Sequence, residues 1–205
     1  MFHSFSAEDL DVLREISNIG AGHAVTALHQ MTHRIITLEV PSVQLLPFSE
    51  VTQNLGGPEA EMVGLFFRIY GGARGNMLVV MPRHSAEHLL EVLFDGQGPK
   101  KPLGEMEISA LKGVGNILTS SYLSAVGALL KVSLIPSIPA FSLDMAQAIV
   151  DLLLIELAEV THHALVIQTD FYTRDRSFAG HFCLLPDPAS IGVFLKALEM
   201  LRNPA

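Results

Sequence analysis

The sequence of 205 residues has a single cysteine, no tryptophan, few charges and no long uninterrupted hydrophobic run. One thiol, Cys183, cannot form an internal disulfide. Its setting, Phe182-Cys183-Leu184-Leu185, reads as a buried inert thiol rather than a nucleophile or metal ligand. Charged residues make up 17%, with 13 Lys+Arg against 21 Asp+Glu and a net charge of -8. The basic residues are scattered, so the stripe that neutralises nucleic-acid phosphates is missing and no nucleic-acid partner is expected. Mean hydropathy is +0.39, yet the most apolar stretch, Ala148 to Ala158, is interrupted by Asp151 and Glu156 and falls short of the roughly 20 residues a bilayer needs. No membrane insertion is expected. Met1-Phe2-His3-Ser4-Phe5 lacks a basic region followed by an apolar run, so no signal peptide is read and a cytoplasmic protein is expected. What is present is 49% hydrophobic residues, enough to exclude disorder.

Ser6 with Glu8 and Asp9 marks a helix start, a hydroxyl cap followed by acids facing the positive end of the dipole. Leu10, Leu13, Ile16, Ala24, Leu28 and Met31 then recur at helical spacing as far as His33 or Arg34. Ile35 to Val40 and Ser42 to Leu46 read as extended segments punctuated by Pro41 and Pro47, and Glu50 to Pro58 as a loop. Met62 to Tyr70 and Asn76 to Met81 read as strands joined by a glycine-rich turn, Ser85 to Phe94 as a short amphipathic helix, and Asp95 to Pro102 as a linker.

After the linker the order starts again. A second long helix covers Glu105 to Lys131, an extended segment crosses Pro136 and Pro139, strands occupy Ala164 to Tyr172 and Phe178 to Leu185, and a helix follows Pro188. A constant shift of 98 positions lays Leu13 on Leu111, Asn18 on Asn116, Ile19 on Ile117, Ala27 on Ala125 and Pro41 on Pro139. The expectation is an α+β fold: an internally duplicated helix-strand-strand-helix unit with pseudo-two-fold symmetry, a mainly antiparallel sheet and two long helices. It is expected to form one domain over 1–205, built from repeats of about 6–95 and 104–202.

On the first helix, at ~100° per residue, Glu15, Asn18 and Gly22 all fall within about 40° of Asp11, opposite Leu13, Ile16, Gly20, Ala24 and Leu28. Such a stripe can be nothing more than a solvated face. The glycines argue otherwise, since each costs about 1 kcal/mol relative to alanine in a helix interior and so points to close approach of other backbone. The second helix repeats the stripe as Ser109, Gly113 and Asn116: the amide survives and the carboxylate does not. Each asparagine is followed, 23 positions on, by a proline, Pro41 or Pro139.

Asp11-xxx-Glu15-xx-Asn18 with Pro41 after 22 intervening residues resembles the signature of the CheC/CheX/FliY family of chemotaxis phosphatases, and Glu15 to Ala24 looks like its CheC version. The resemblance implies hydrolysis of the aspartyl phosphate of the response regulator CheY, and CheD as a further partner. By the same resemblance Asn18 is the catalytic amide that orients the attacking water, and Glu15 pairs with a lysine of the regulator. Asp11, Pro41 and Gly22 support the motif. Two-site members of the family carry Glu at the position of Gly113, so Ser109, Gly113, Asn116 and Pro139 read as a degenerate second site.

The residues suit this chemistry. Aspartyl-phosphate hydrolysis needs an in-line water and a metal, and little covalent help. The chain has no phosphate-cradling loop: Gly71-Gly72-Ala73-Arg74-Gly75 lacks the Lys-Ser/Thr ending of a P-loop. No cofactor is expected on this chain, and magnesium is assigned to the phosphorylated CheY-type receiver. A side-chain amide can donate and accept at once, and a carboxylate one turn away on the same face can fix register against a cation. The alternative is a non-catalytic adaptor for CheY, CheD or the flagellar switch. The pairs His29/His33 and His84/His88 have helical zinc-site spacing but no local Glu or Cys partner, and His162-His163 reads as a loop feature, so no metal site is expected. Ser120 and Ser121 lack a triad, and the methionines, Met77 to Met200, read as core filling.

Overall fold

The structure is a computed structural model that describes all residues except 1–4, 34, 100–101, 158–162, 173–176, 188, 194–195, 197–198 and 200–205. His162, Met200 and the end of the second repeat lie outside the described residues.

Helix α1, Ala7–Thr32, begins at Ser6, whose Oγ accepts from the Asp9 N–H while the Asp9 carboxylate accepts from the Ser6 N–H, at 3.1 and 2.9 Å. Two of the donors left open at this end are thereby satisfied. The helix stops at His33, which takes the left-handed conformation with φ 54 and donates back to the His29 carbonyl. Strand β1, Thr37–Pro47, follows, then helix α2, Phe48–Asn54, strands β2, Glu61–Gly71, and β3, Gly75–Pro82, and helix α3, Arg83–Leu93. The second half runs through helix α4, Glu105–Leu130, strands β4, Leu134–Pro136, and β5, Ala140–Met145, helix α5, Ala146–Leu157, and strands β6, His163–Tyr172, and β7, Ser177–Pro186. Residues 189–193 are again helical.

One antiparallel sheet takes strands from both halves in the order β1-β6-β7-β3-β2-β4, with β5 beside β4 on β2. The halves meet at β7 and β3, so β1 at one edge corresponds to β4 and β5 at the other. The expected α+β fold with two long helices and a duplicated unit is what the chain adopts. Helices α1 and α4 pack against each other and cover one sheet face, where Leu13, Leu28, Leu65, Phe67, Leu123 and Phe171 form the larger core. Helices α2 and α5 cover the other face over Met62, Leu78, Val80 and Leu185, with Ile149 of α5 packed among them. The middle strands are therefore buried on both sides. That is why β2 and β3 read as near-continuous apolar runs rather than alternating ones.

Two expectations are corrected, and one stretch to which the sequence reading gave no element is filled in. The segment read as a loop after Pro47 contains α2; Phe48, Val51 and Thr52 are buried, and seven residues are too few to show a helical period. The apolar stretch beginning at Ala148 is largely α5, a helix pressed on the sheet. The two proline-punctuated segments are a single strand, β1, which passes through Pro41 with a register shift between Glu39 and Ser42. Proline is tolerated there because β1 is an edge strand and the shift is a bulge. Cys183 is fully buried in β7, and burial pushes its thiol up to about 12.

Candidate functional site

The α1 stripe is exposed, and its core side is not: Leu13, Ile16, Ala24 and Leu28 are all buried. Gly20 lies where α1 crosses α4; a Cβ there would stand 2.9 Å from the Tyr122 Cα, so only glycine lets the helices approach this closely. The approach fixes the roll of α1 and turns Asp11, Glu15 and Asn18 toward the open edge of the sheet. These three line a groove of about 770 Å³ together with Val12, Arg14, Glu39, Val40 and Pro41. Gly22 is exposed on the same stripe but does not line the groove, and a Cβ on it would meet nothing within 4 Å.

The Asn18 amide is held at both ends. Its Oδ1 accepts from the Val40 N–H at 2.9 Å, and its Nδ2 donates to the carbonyls of Val40 at 3.3 Å and Arg14 at 3.1 Å. A side-chain amide has the donor and acceptor of a peptide group, so Asn18 pairs with the outer edge of β1 as a neighbouring strand does.

This contact accounts for the fixed gap to the proline. From Asn18 the helix runs out about 14 residues at ~1.5 Å each, roughly 21 Å. The return from the His33 cap to Val40, with β1 beginning at Thr37, covers about 7 residues at up to ~3.3 Å each, at most roughly 23 Å. The two lengths match, so residue 40 comes back beside residue 18. Pro41 then marks the bulge that leaves Val40 available to the amide.

Charges in the groove are unevenly committed. Asp11 pairs with Arg14 at 3.5 Å, both side chains largely exposed, a contact worth little stability. Glu15, exposed on the neighbouring turn, has no charged partner among the described residues. A carboxylate left free at the rim beside an immobilised amide can receive a cation brought by another molecule. Among the described residues no three His, Cys, Asp or Glu side chains converge as metal ligands.

The second stripe is built differently. Ser109 and Asn116 are exposed on α4, and a Cβ on Gly113 would meet nothing within 4 Å. The Asn116 side chain makes no hydrogen bond among the described residues. The residue at the place of Val40 is Ile138, which is 90% exposed. In its stead Ser137 holds the sheet edge: its N–H donates to the Arg68 carbonyl at 2.8 Å and its Oγ accepts from the Arg68 N–H at 3.0 Å. The edge is thereby split into β4 and β5, with Pro139 buried between them. Sequence reading found the missing carboxylate but not the missing clamp, because Asn116 and Pro139 keep their spacing while the backbone between them has been re-paired.

The sequence pattern of the CheC-like family matches residues 8–45, which span α1 and most of β1. The CheY-P phosphatase CheC of Bacillus subtilis is 37% identical over 203 residues, covering 97% of both chains. The chain belongs to the CheC-like family. The flagellar motor switch phosphatase FliY of the same organism is 27% identical over 118 residues, 57% of this chain and 30% of FliY. In fold, the crystal structure of Thermotoga maritima FliY superimposes with a TM-score of 0.76 over 95% of this chain and 97% of that one, at 18% identity. The FliM middle domain from H. pylori superimposes with a TM-score of 0.69 and 14% identity over 94% of this chain and 99% of that one. The family match falls on the half that keeps both the free carboxylate and the clamped amide. No helix among the described residues is long and apolar enough to cross a membrane.

Proposed function

We propose that this chain hydrolyses the aspartyl phosphate of a CheY-type response regulator through one centre, Glu15 and Asn18 on α1. The observation that carries the reading is that an uncommitted carboxylate and a doubly anchored amide, one turn apart, open into the same groove.

The regulator supplies the phosphoryl group and its magnesium; this chain supplies position. Glu15 accepts a lysine of the regulator and sets the depth at which α1 enters the phosphorylation pocket. Asn18 Oδ1 keeps one lone pair beyond the bond from Val40, and that lone pair accepts a hydrogen bond from the attacking water and orients its oxygen in line with the scissile bond. Because Val40 and Arg14 already fix the amide, little ordering is left to the moment of reaction. Donation from Nδ2 to a phosphoryl oxygen requires release of its 3.3 Å bond to Val40, the longer of the two it makes. Asp11 keeps Arg14 from neutralising Glu15, and Pro41 holds the bulge. At a net charge of -8, long-range attraction to an acidic receiver does not drive encounter, so recognition is short-range.

The test is release of inorganic phosphate from a phosphorylated receiver with magnesium, with and without this chain. Acceleration above the receiver's own rate is expected. The dismantled second stripe favours the rival reading, an adaptor that contacts the receiver without turning it over; that reading requires binding with no acceleration.

A further inference from the structure

Gly22 is the member of the α1 stripe that nothing among the described residues accounts for. A glycine inside a helix weakens it more than any residue except proline, because its backbone has more freedom to lose and no side chain to offset the loss. Gly20, two positions earlier, is required by the crossing with α4, where a Cβ would stand 2.9 Å from the Tyr122 Cα. No such requirement holds at Gly22. It stands well inside α1, its φ is not positive, and a Cβ on it would meet nothing within 4 Å. Neither packing within the chain nor backbone conformation calls for glycine there.

The remaining reason for a glycine is close approach by something outside the chain. Gly22 lies one turn beyond Asn18 on the same exposed stripe, about 6 Å along the axis. Ile19, on the turn between them, is 46% exposed, the large apolar side chain that α1 leaves in water among its described residues. A lone exposed isoleucine means little by itself. Beside a gap in the helix surface it supplies contact area where another backbone can come near. The second half gives an internal comparison: the shift of 98 positions lays Gly22 on Ser120 and Ile19 on Ile117, which is packed against the core. The stripe without the carboxylate and the clamp is also without the gap and the bare isoleucine.

We propose that Gly22 is a specificity-determining residue: the clearance it leaves, with Ile19 beside it, is where the backbone of the phosphorylated receiver settles against α1 as Asn18 enters the phosphorylation pocket. The inference rests on the function proposed above and names the place where this chain gauges the fit of its substrate.

Gly22→Ala and Gly22→Leu test it, because stability and recognition move in opposite directions. Both residues are better helix formers than glycine and meet open space at their base, so both variants are expected to melt above the wild-type midpoint. Phosphate release, followed over a range of concentrations of a phosphorylated CheY-type receiver with magnesium, is expected to show KM raised on the order of tenfold in Gly22→Leu, as for an overpacked contact, and by less in Gly22→Ala. The kcat stays near the wild-type value, since Glu15 and Asn18 are untouched and the obstruction weakens ground state and transition state alike. A midpoint that falls in both variants shows that Gly22 serves the packing of this chain, and overturns the inference. An unchanged KM in Gly22→Leu, with the wild-type chain accelerating release, overturns it alone and leaves the proposed function standing. A wild-type chain that does not accelerate release removes the proposed function, and this inference with it.

Discussion

Gly113→Glu asks whether the second stripe is a phosphatase centre short of one carboxylate. A Cβ on Gly113 meets nothing within 4 Å, so a side chain can leave the helix there without a clash at its base. Replacing a mid-helix glycine with a good helix former is worth ~0.5 kcal/mol, and in a chain of this size each kcal/mol moves the midpoint by about 2–4 °C. The variant is therefore expected to melt roughly 1–2 °C higher. Its turnover per chain is expected to stay at the wild-type level. The new carboxylate stands beside an amide that nothing holds, because Ile138 is turned out to solvent and Ser137 has taken over the pairing with Arg68. The decisive assay uses a chain whose first centre is disabled: phosphate release from a phosphorylated receiver with Glu15→Ala and with Glu15→Ala/Gly113→Glu. Both are expected to be inactive. Recovery of activity in the double variant would refute the argument that the clamp, as well as the carboxylate, makes the centre.

Further outcomes follow from the same geometry. Gly20→Ala forces a methyl against the Tyr122 backbone and is expected to cost about 1–3 kcal/mol, whereas Gly22→Ala, with open space around it, is expected to gain up to about 1 kcal/mol; equal effects in chemical denaturation would contradict the helix crossing described. Asn18→Ala gives up three hydrogen bonds at a partly wet edge, for a loss of roughly 1–2 kcal/mol that leaves the chain folded; an unchanged unfolding free energy would mean the clamp contributes nothing. Burial pulls His181 below its ordinary 6.5, so the unfolded chain takes up a proton that the native chain resists. Stability is then full above about pH 6.5 and declines as pH falls below it. His181→Gln is expected to flatten that slope in pH-dependent melts, and an unaltered slope would count against it.

Much of the fold was legible because each half shows its periods openly. The helix start at Ser6, the alternation of buried positions on α1, and the strands around the Gly71–Gly75 turn are all visible in one sequence, and the shift of 98 positions exposes the duplication. The two short elements on the far face were not legible. α2 is too short to display a period, and α5 is apolar on nearly every side, so neither announces helix over strand. At the site, Asp11, Glu15, Asn18 and Pro41 could be read directly as a pattern. The role of Val40 could not, because it acts through its backbone, and a hydrogen bond to a peptide group leaves no residue type to recognise. The only trace was the proline at a repeated distance. The same blindness concealed the second half, where identical spacing accompanies a different pairing of the edge.

The most direct measurement is the time course of phosphoryl loss from a phosphorylated receiver in the presence of the wild-type chain and of Asn18→Ala, with the variant shown folded by its melt. The wild-type chain is expected to shorten the receiver's lifetime, and the variant to lose on the order of 10² of that acceleration, as for a preorganised catalytic group. A folded Asn18→Ala that dephosphorylates the receiver at the wild-type rate would contradict the account at its centre.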